Sequence, residues 1–318
     1  IKPFPLPNLE TLNKKILLID TDSQCNMTSA LGAYNPDLVS IYDVISQKCG
    51  VEDAIQTVGG SLQIIQSELK VDNVNFEFTD SKNLMNLKNA LAKVEAKYDF
   101  VIIDTPPAIS KVTQTAMIAS DEIILAVQPD QFSLDGLYQM DSLIKEIRNE
   151  YNPTLKIAGI LVNRFVQRTT LRKEIRKEFE KIAENIGTKV YKTSIRENIS
   201  IPESQVLKMS VFKYNKRSIG AADYFKFLIE FANDNGEIEL LPAEAGRFMK
   251  RFPYSQRLVQ KALTRSPEGL RLLLIFQSVN CTHIHFLEWS SSTISLVFTS
   301  ERIYRQPSSA TLPNFNLY

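Results

Sequence analysis

The chain of 318 residues has little of what builds a disulfide framework or a membrane span. Its three cysteines are widely spaced and odd in number, so no disulfide framework follows and a reducing cytoplasm fits best. No signal-peptide pattern is present, and the longest apolar run, Leu270 to Phe276, is interrupted by Arg271 and too short to cross a bilayer. The formal net charge is only +1, so any basic patch must be local.

What the chain does have is a regular alternation of strand-length apolar runs and amphipathic stretches. The runs are Ile16–Ile19, Leu62–Ile65, Phe100–Ile103, Ile123–Val127 and Ile157–Val162. Stretches of helical period, such as Leu84–Val94 and Leu134–Ile147, lie between them. Short continuous apolar strands separated by helices predict a mostly parallel sheet that is covered on both faces. The predicted fold class is therefore α/β, doubly wound.

The alternation ends with a predicted helix around Ala221 to Phe231. The polar run Asn233–Gly236 then indicates a helix stop and a linker. We therefore predict an α/β domain over residues 14–235 and an unassigned region over 236–318. Residues 1–13 carry three prolines, which makes them a poor central strand, and they are predicted to be irregular.

Two of the predicted strands end in carboxylates. Ile16–Ile19 leads into Asp20 and Asp22, and Phe100–Ile103 leads into Asp104, which is followed by two prolines after Thr105. Open α/β sheets bind ligands at the carboxyl ends of their strands, and an apolar strand ending in Asp is typical of a magnesium-binding position. The alternative is a pair of strand ends with solvated acids, which is common in α/β proteins.

These two segments carry a resemblance to a known family. ILLIDTDSQCN (16–26) resembles the strand that follows the phosphate-binding helix in ParA, Soj and MinD proteins, and YDFVIIDTPPA (98–108) is similar to their acidic strand. Further matches are Leu62–Ser67, Val127–Leu137, Gly159–Arg164 and the segments from Ile195 to Ala221. The matches are collinear from about Lys14 to Phe231, and together they point to the ParA/Soj family of DNA-partitioning ATPases.

The resemblance implies an activity and assigns roles to individual residues. Asp22 would orient or activate the water that attacks the γ-phosphate, and Asp20 would support the same site without contacting the nucleotide itself. Asp104 would hold Mg²⁺ through water, and Asn163 would approach the adenine of ATP. The family also implies a homodimer, non-specific binding to nucleoid DNA in the cytoplasm, and a centromere-binding ParB-like partner. Ser23 stands where the family usually has proline.

The chain departs from the family at its phosphate-binding loop. The family places a strand, a Gly- and Lys-rich loop and a helix before the strand seen here at Lys15, and no G-x-x-x-x-G-K-[ST] pattern occurs within these residues. Such a loop holds the phosphates with backbone N–H groups and a lysine. We therefore expect a P-loop NTPase-like sheet of the deviant Walker type without its first strand. Either the neighbouring strands close up, another segment or chain fills the place, or the product is poorly folded.

This departure leaves enzymatic activity open. One interpretation is a truncated or degenerate partitioning ATPase, and the other is a non-catalytic relative that binds DNA or a partner. Membrane attachment of the MinD kind is disfavoured because no clear C-terminal amphipathic membrane helix follows.

Two further segments carry candidate sites. Thr170–Ile186 is predicted to form an amphipathic helix with four basic residues on one face, Arg172, Lys173, Arg176 and Lys177. The resemblance implies contacts to the DNA backbone there, and a solvated surface face is the alternative. In the C-terminal region, Cys281, His283 and His285 share one side of an extended chain, which allows a metal site but also suits an ordinary half-buried strand.

Overall fold

Five strands of the computed structural model coincide with the predicted apolar runs. Residues 15–59, 62–68, 81–166, 170–234, 271–277, 284–287 and 295–298 are described, so the irregular segment 1–13 and most of the C-terminal region lie outside them. The strands are β1 (Ile16–Asp20), β2 (Ile55–Gly59), β3 (Leu62–Ile65), β4 (Phe100–Asp104), β5 (Glu122–Val127), β6 (Lys156–Val162), β7 (Arg271–Gln277), β8 (Ile284–Leu287) and β9 (Ser295–Phe298). All five predicted strands are confirmed to within one residue at each end.

The helices fill the intervals between the strands. They are α1 (Asn26–Ala30), α2 (Ile41–Ile45), α3 (Val51–Ala54), α4 (Asn86–Leu91), α5 (Lys111–Ala119), α6 (Gln131–Glu150), α7 (Thr170–Asn185), α8 (Ser200–Val206), α9 (Val211–Asn215) and α10 (Ile219–Asp234). The predicted helix Leu84–Val94 is shorter than expected, since a 3₁₀ turn over Ser81–Met85 precedes α4. The linker pattern marks the end of α10 correctly.

Seven strands form one sheet in the order β2-β3-β1-β4-β7-β5-β6. All neighbouring pairs are parallel except β2 with β3, so the predicted doubly wound, mostly parallel sheet is confirmed. β2 was not predicted, because its sequence IQTVG has neither a continuous apolar run nor a clean alternation. Strands β8 and β9 form a separate antiparallel pair.

The sheet separates two apolar layers. Leu17 and Ile19 of β1 pack on one face with residues of α2, α4, α5, α6 and α7. Ile16 and Leu18 of the same strand pack on the other face with Met27 of α1 and with α10. This alternation along a strand buried on both sides is what a central parallel strand requires.

The middle of the sheet is completed from the C-terminal region. β7 lies between β4 and β5 and is parallel to both. Of the outcomes that the sequence left open for a missing first strand, the structure therefore shows that another segment of the same chain fills the place. The division of the chain at residue 235 stays a prediction, and the main sheet takes strands from both sides of it.

Candidate functional site

The two acidic strand ends lie side by side at the carboxyl edge of the sheet. β1 and β4 are neighbours, and Asp20 is the register partner of Asp104. Thr21 ties the two ends together, since its backbone N–H and its hydroxyl both donate to the carbonyl oxygen of Asp104, at 2.9 and 2.6 Å. The hydroxyl of Tyr42 donates in turn to the carbonyl of Thr21 at 2.9 Å. The spacing between the two predicted acidic positions is thus fixed by the backbone.

Asp20 is fully buried and its carboxylate is used inside the protein. One oxygen accepts from the backbone N–H and the hydroxyl of Thr28, at 2.9 and 2.7 Å, and the other accepts from the backbone N–H of Asp22 at 3.1 Å. Burial raises the pKa of Asp20 from 3.8 to about 7, although the bonds from Thr28 oppose the rise. Through these contacts Asp20 shapes the turn that carries Asp22, and its supporting role at a nucleotide site stays a prediction.

Asp22 stands on a tight turn just beyond β1 and is 7% exposed. Its carboxylate accepts from the backbone N–H of Gln24 at 2.9 Å, and burial raises its pKa. Cys25 follows in the left-handed backbone conformation and is the N-cap residue of α1. Because burial raises the pKa of the Cys25 thiol to about 12, this cysteine stays protonated and unreactive.

Asn163 also lies at the carboxyl edge of the sheet, but three strands away from Asp104. It follows β6, its backbone N–H donates to the carbonyl of Val127 at 2.7 Å, and its side chain is buried. Its side-chain oxygen has no hydrogen-bond partner within the described residues. β7 and β5 lie between β4 and β6, so at about 4.8 Å per strand Asn163 is roughly 14 Å from Asp104.

The described edge does not fit a triphosphate. A triphosphate needs a cradle of backbone N–H groups and a cation between the acidic strand end and the base-binding group. No Gly-Lys pair occurs anywhere within these 318 residues, and no glycine follows Gly269, so the residues after β7 contain no glycine-rich loop. Among the described residues, the acidic and amide positions are present without a phosphate cradle between them.

The four basic residues predicted on α7 do not behave alike. The helix itself is confirmed over Thr170–Asn185, and the side chains of Arg172 and Lys173 lie outside the described residues. Lys177 is exposed. Arg176 instead turns inward, donating to the hydroxyl of Ser194 at 2.6 Å and to the carbonyl of Tyr191 at 2.8 Å.

Arg176 opens onto a cleft of about 440 Å³ that the sequence did not reveal. Three more cations line it, Lys192, Arg196 and Lys226. Among the described residues that line the cleft, the one carboxylate is that of buried Asp223, which accepts from Nε and Nη2 of Arg196 at 2.7 and 2.6 Å. Since these cations come from three separate segments of the chain, no charge run marks them, and only the fold brings them together.

The candidate metal site in the C-terminal region lies mostly outside the described residues and stays untested. His285 lies in β8 and pairs with Val297 of β9, while Cys281 and His283 lie outside the described residues. Where the structure describes side chains, no group of three or more His, Cys, Asp and Glu residues is arranged to hold a metal ion. In the same part of the chain, no helix is long and apolar enough to cross a membrane.

Comparison with known proteins gives the family. The AAA domain family matches residues 7–157. The sporulation initiation inhibitor protein Soj of Bacillus subtilis is 31% identical over 227 residues, which cover 70% of this chain and 88% of that protein. The chain belongs to the ParA/Soj family. A second relative, the chromosome partitioning protein ParA of Caulobacter vibrioides, is 29% identical over 227 residues, 70% of this ParA/Soj chain and 84% of that protein.

Solved structures show the same fold. A Cyanothece McdA variant in complex with ATP superposes with a TM-score of 0.63 at 18% identity, covering 73% of this ParA/Soj chain and 89% of that one. The septum site-determining protein MinD of Pyrococcus horikoshii, complexed with Mg-ADP, gives 0.54 at 22% identity and covers 71% and 85%. These structures confirm the fold, and the predicted membership in the ParA/Soj partitioning ATPases is confirmed by the sequence relatives.

Sequence reasoning missed the residues that position the acids. Thr21 and Thr28 are buried and hold Asp104 and Asp20 through hydrogen bonds. The position of Thr21 between two acids at the end of an apolar strand could have indicated this role from the sequence. Tyr42, in contrast, reaches the site only through the tertiary fold.

Proposed function

We propose that this chain acts in DNA partitioning as a member that binds the DNA backbone through its basic cleft and does not by itself hold ATP. The observation that carries the proposal is the contrast between two sites. The nucleotide edge has its acids in place but lacks a phosphate cradle among the described residues, whereas the cleft presents four cations around a space large enough for a phosphate group. A homodimer and a ParB-like centromere-binding partner are proposed by family resemblance.

The nucleotide part of the proposal follows from charge. Buried carboxylates at Asp20, Asp22 and Asp104 repel a triphosphate unless backbone N–H groups and a lysine offset them. By family resemblance Asn163 would receive the adenine and Asp104 would hold Mg²⁺ through water, but the described residues between them supply no phosphate cradle.

Calorimetric titration of the full chain with Mg-ATP tests this part. We expect no binding tighter than about 1 mM, the weak end of the affinity scale. Binding in the micromolar range, with turnover that is abolished in Asp22→Ala, would show that a phosphate site exists and that the chain is an active ATPase.

The DNA part of the proposal rests on the accessible cations of the cleft. Lys192 and Lys226 are exposed and can approach phosphates, and Arg196 is held in place by Asp223. Lys177 on α7 is exposed, and the DNA contacts that the family resemblance implies for α7 stay a proposal. Contacts to phosphates release counterions, so affinity should fall steeply with salt and depend little on base sequence.

Fluorescence anisotropy with a random DNA duplex at low salt tests the cleft. We expect weak binding that Lys192→Glu combined with Lys226→Glu reduces, and the log–log salt slope should fall by about one for each lysine that no longer meets a phosphate. The matched control reverses two exposed charges elsewhere, Lys93→Glu with Lys97→Glu. An equal reduction in both double variants would mean that net charge, and not the cleft, governs binding.

A non-catalytic partner-binding protein is the second candidate. It is favoured if anisotropy shows no DNA binding at low salt while the chain still associates with a ParB-like protein.

A further inference from the structure

The wall of the basic cleft is a segment whose shape is fixed from two helices. Arg176 of α7 donates from Nη1 to the hydroxyl of Ser194 at 2.6 Å and from Nη2 to the carbonyl of Tyr191 at 2.8 Å. From the side of α10, the carboxylate of Glu230 accepts from the backbone N–H groups of residues 192 and 193, at 2.6 and 2.9 Å. Charge-assisted hydrogen bonds are stronger than neutral ones, so this wall is ordered before a ligand arrives.

The four cations of the cleft divide into two that are held and two that are exposed. Nε and Nη2 of Arg196 bind the buried carboxylate of Asp223, and the other arginine is held by the wall segment and by Glu180 at 3.3 Å. Lys192 and Lys226 are exposed, and Nζ of Lys226 lies 3.8 Å from Oδ1 of Asp223. Two exposed lysines give few phosphate contacts, so a ligand needs a further contact to bind firmly here.

Phe165 supplies an aromatic surface for such a contact. It follows β6, and its backbone N–H donates to the carbonyl of Ile195 at 3.0 Å, which joins it to the wall segment. Its half-buried side chain packs against the apolar layer that contains Leu17 and also lines the cleft. The ring is therefore anchored in the core on one side and faces the cleft on the other.

An aromatic ring beside cations suits a single strand better than a duplex. The bases of a duplex are stacked on one another, so a backbone contact offers the protein phosphates and sugars but no base face. Single strands expose their base faces, and proteins that bind them combine a positively charged groove with aromatic side chains on which bases stack. The volume of about 440 Å³ lies within the ~300–1,000 Å³ of sites that enclose a small organic ligand.

We propose that the basic cleft is a site for single-stranded DNA, in which one base stacks on Phe165 while the neighbouring phosphates meet Lys192 and Lys226. This inference rests on the proposed function, because both require the cleft to bind DNA phosphates. It goes further in naming the form of DNA that the cleft prefers. Because every base has a face that can stack, binding should depend little on base sequence.

Fluorescence anisotropy with the full chain at low salt compares labelled oligothymidine with a random duplex of the same length. We expect oligothymidine to bind about tenfold more tightly, which is in the lower part of the range for one stacked base. Equal or tighter binding of the duplex would overturn the proposal. Tighter binding of oligouridine of the same length would overturn the assignment to DNA, since RNA offers the same phosphates and base faces.

Substitutions at Phe165 test the stacking contact. Phe165→Leu keeps an apolar side chain against the core, and it should weaken the binding of oligothymidine about tenfold more than that of the duplex. Phe165→Tyr keeps the ring and should recover the lost affinity. Phe132→Leu is the matched control, because it removes a ring that is 66% exposed and lies outside the lining of the cleft. Thermal unfolding shows whether each variant is folded.

The double variant Lys192→Glu with Lys226→Glu separates the failure of this inference from that of the proposed function. If it weakens the binding of both DNAs while Phe165→Leu leaves oligothymidine binding unchanged, the cleft contacts phosphates alone and the base site is wrong. If neither DNA binds at low salt, the proposed function and this inference are both overturned. Both are supported if the lysine variant weakens both DNAs and Phe165→Leu selectively weakens oligothymidine.

Discussion

Asp20 couples the stability of the acidic strand end to pH. Its pKa in the folded protein is raised by burial to about 7, above the ordinary value of 3.8. Between about pH 4 and pH 7 the unfolded chain therefore releases this proton before the folded chain does, so Asp20 makes the folded state less stable as pH rises through this range. Above pH 7 Asp20 is ionised in both the folded and the unfolded state, so its contribution to the free energy of unfolding no longer changes with pH.

The variant Asp20→Asn removes this titration. We expect the stability of the natural chain relative to Asp20→Asn to fall between pH 4 and pH 7, by about 1.4 kcal/mol for each pKa unit between the two states. Urea unfolding of both proteins at several pH values measures it. If the stabilities of the two proteins changed with pH in parallel, the pKa of Asp20 would not be perturbed by folding.

The pair Arg196–Asp223 should matter more than a surface pair. Asp223 is buried and accepts from Arg196 at two side-chain nitrogens and at its backbone N–H, whereas the Arg196 side chain is 35% exposed. We expect urea unfolding to show that Asp223→Ala destabilises the protein by about 2 kcal/mol, less than for a fully buried pair. Glu197→Ala is the control, because the Arg164–Glu197 pair is exposed on both sides and should cost less than about 0.5 kcal/mol.

Between secondary-structure elements, β6 packs tightly against the segment that follows α7. A Cβ atom on Gly159 would lie 2.5 Å from the ring of Tyr191. We expect Gly159→Ala to cost about 1–3 kcal/mol, as is usual for overpacking. The cost should shrink in a Tyr191→Leu background and persist in Tyr191→Phe, where the ring remains. Thermal unfolding of these proteins would measure the differences, and equal costs in both backgrounds would rule out the ring as the cause.

The same elements show what the sequence could predict. β1, β4, β5 and β6 were predictable because each is a continuous apolar run, and the acids at the ends of β1 and β4 follow from that assignment. The place of β7 was not predictable, because Leu270–Phe276 is an apolar run whose partners lie more than a hundred residues away. The basic cleft was missed because Lys192 lies in the segment between α7 and α8 and Lys226 lies on α10, and only the tertiary fold brings both to one cleft.

For the whole molecule, the polar linker and the pairing of β7 together predict how the chain responds to proteolysis. Limited proteolysis should cut first between Asn233 and Glu237, where the sequence is polar and rich in turn residues. The two fragments should nevertheless elute together from a sizing column, because β7 is paired on both edges. Separation into two fragments of independent stability would show that the region after residue 235 is a domain of its own.

The position of β7 also bears on how the chain is synthesised. The ribosome releases the N-terminal part of a protein first, and domains usually fold in that order. Here β4 and β5 are complete by Val127, but the strand that joins them begins only at Arg271. Their inner edges must wait for it, so the centre of the sheet closes after translation has passed residue 277. Contacts between segments this distant in sequence slow folding. Until β7 is made, the unpaired edges of β4 and β5 leave the nascent chain prone to aggregation, which chaperones counteract.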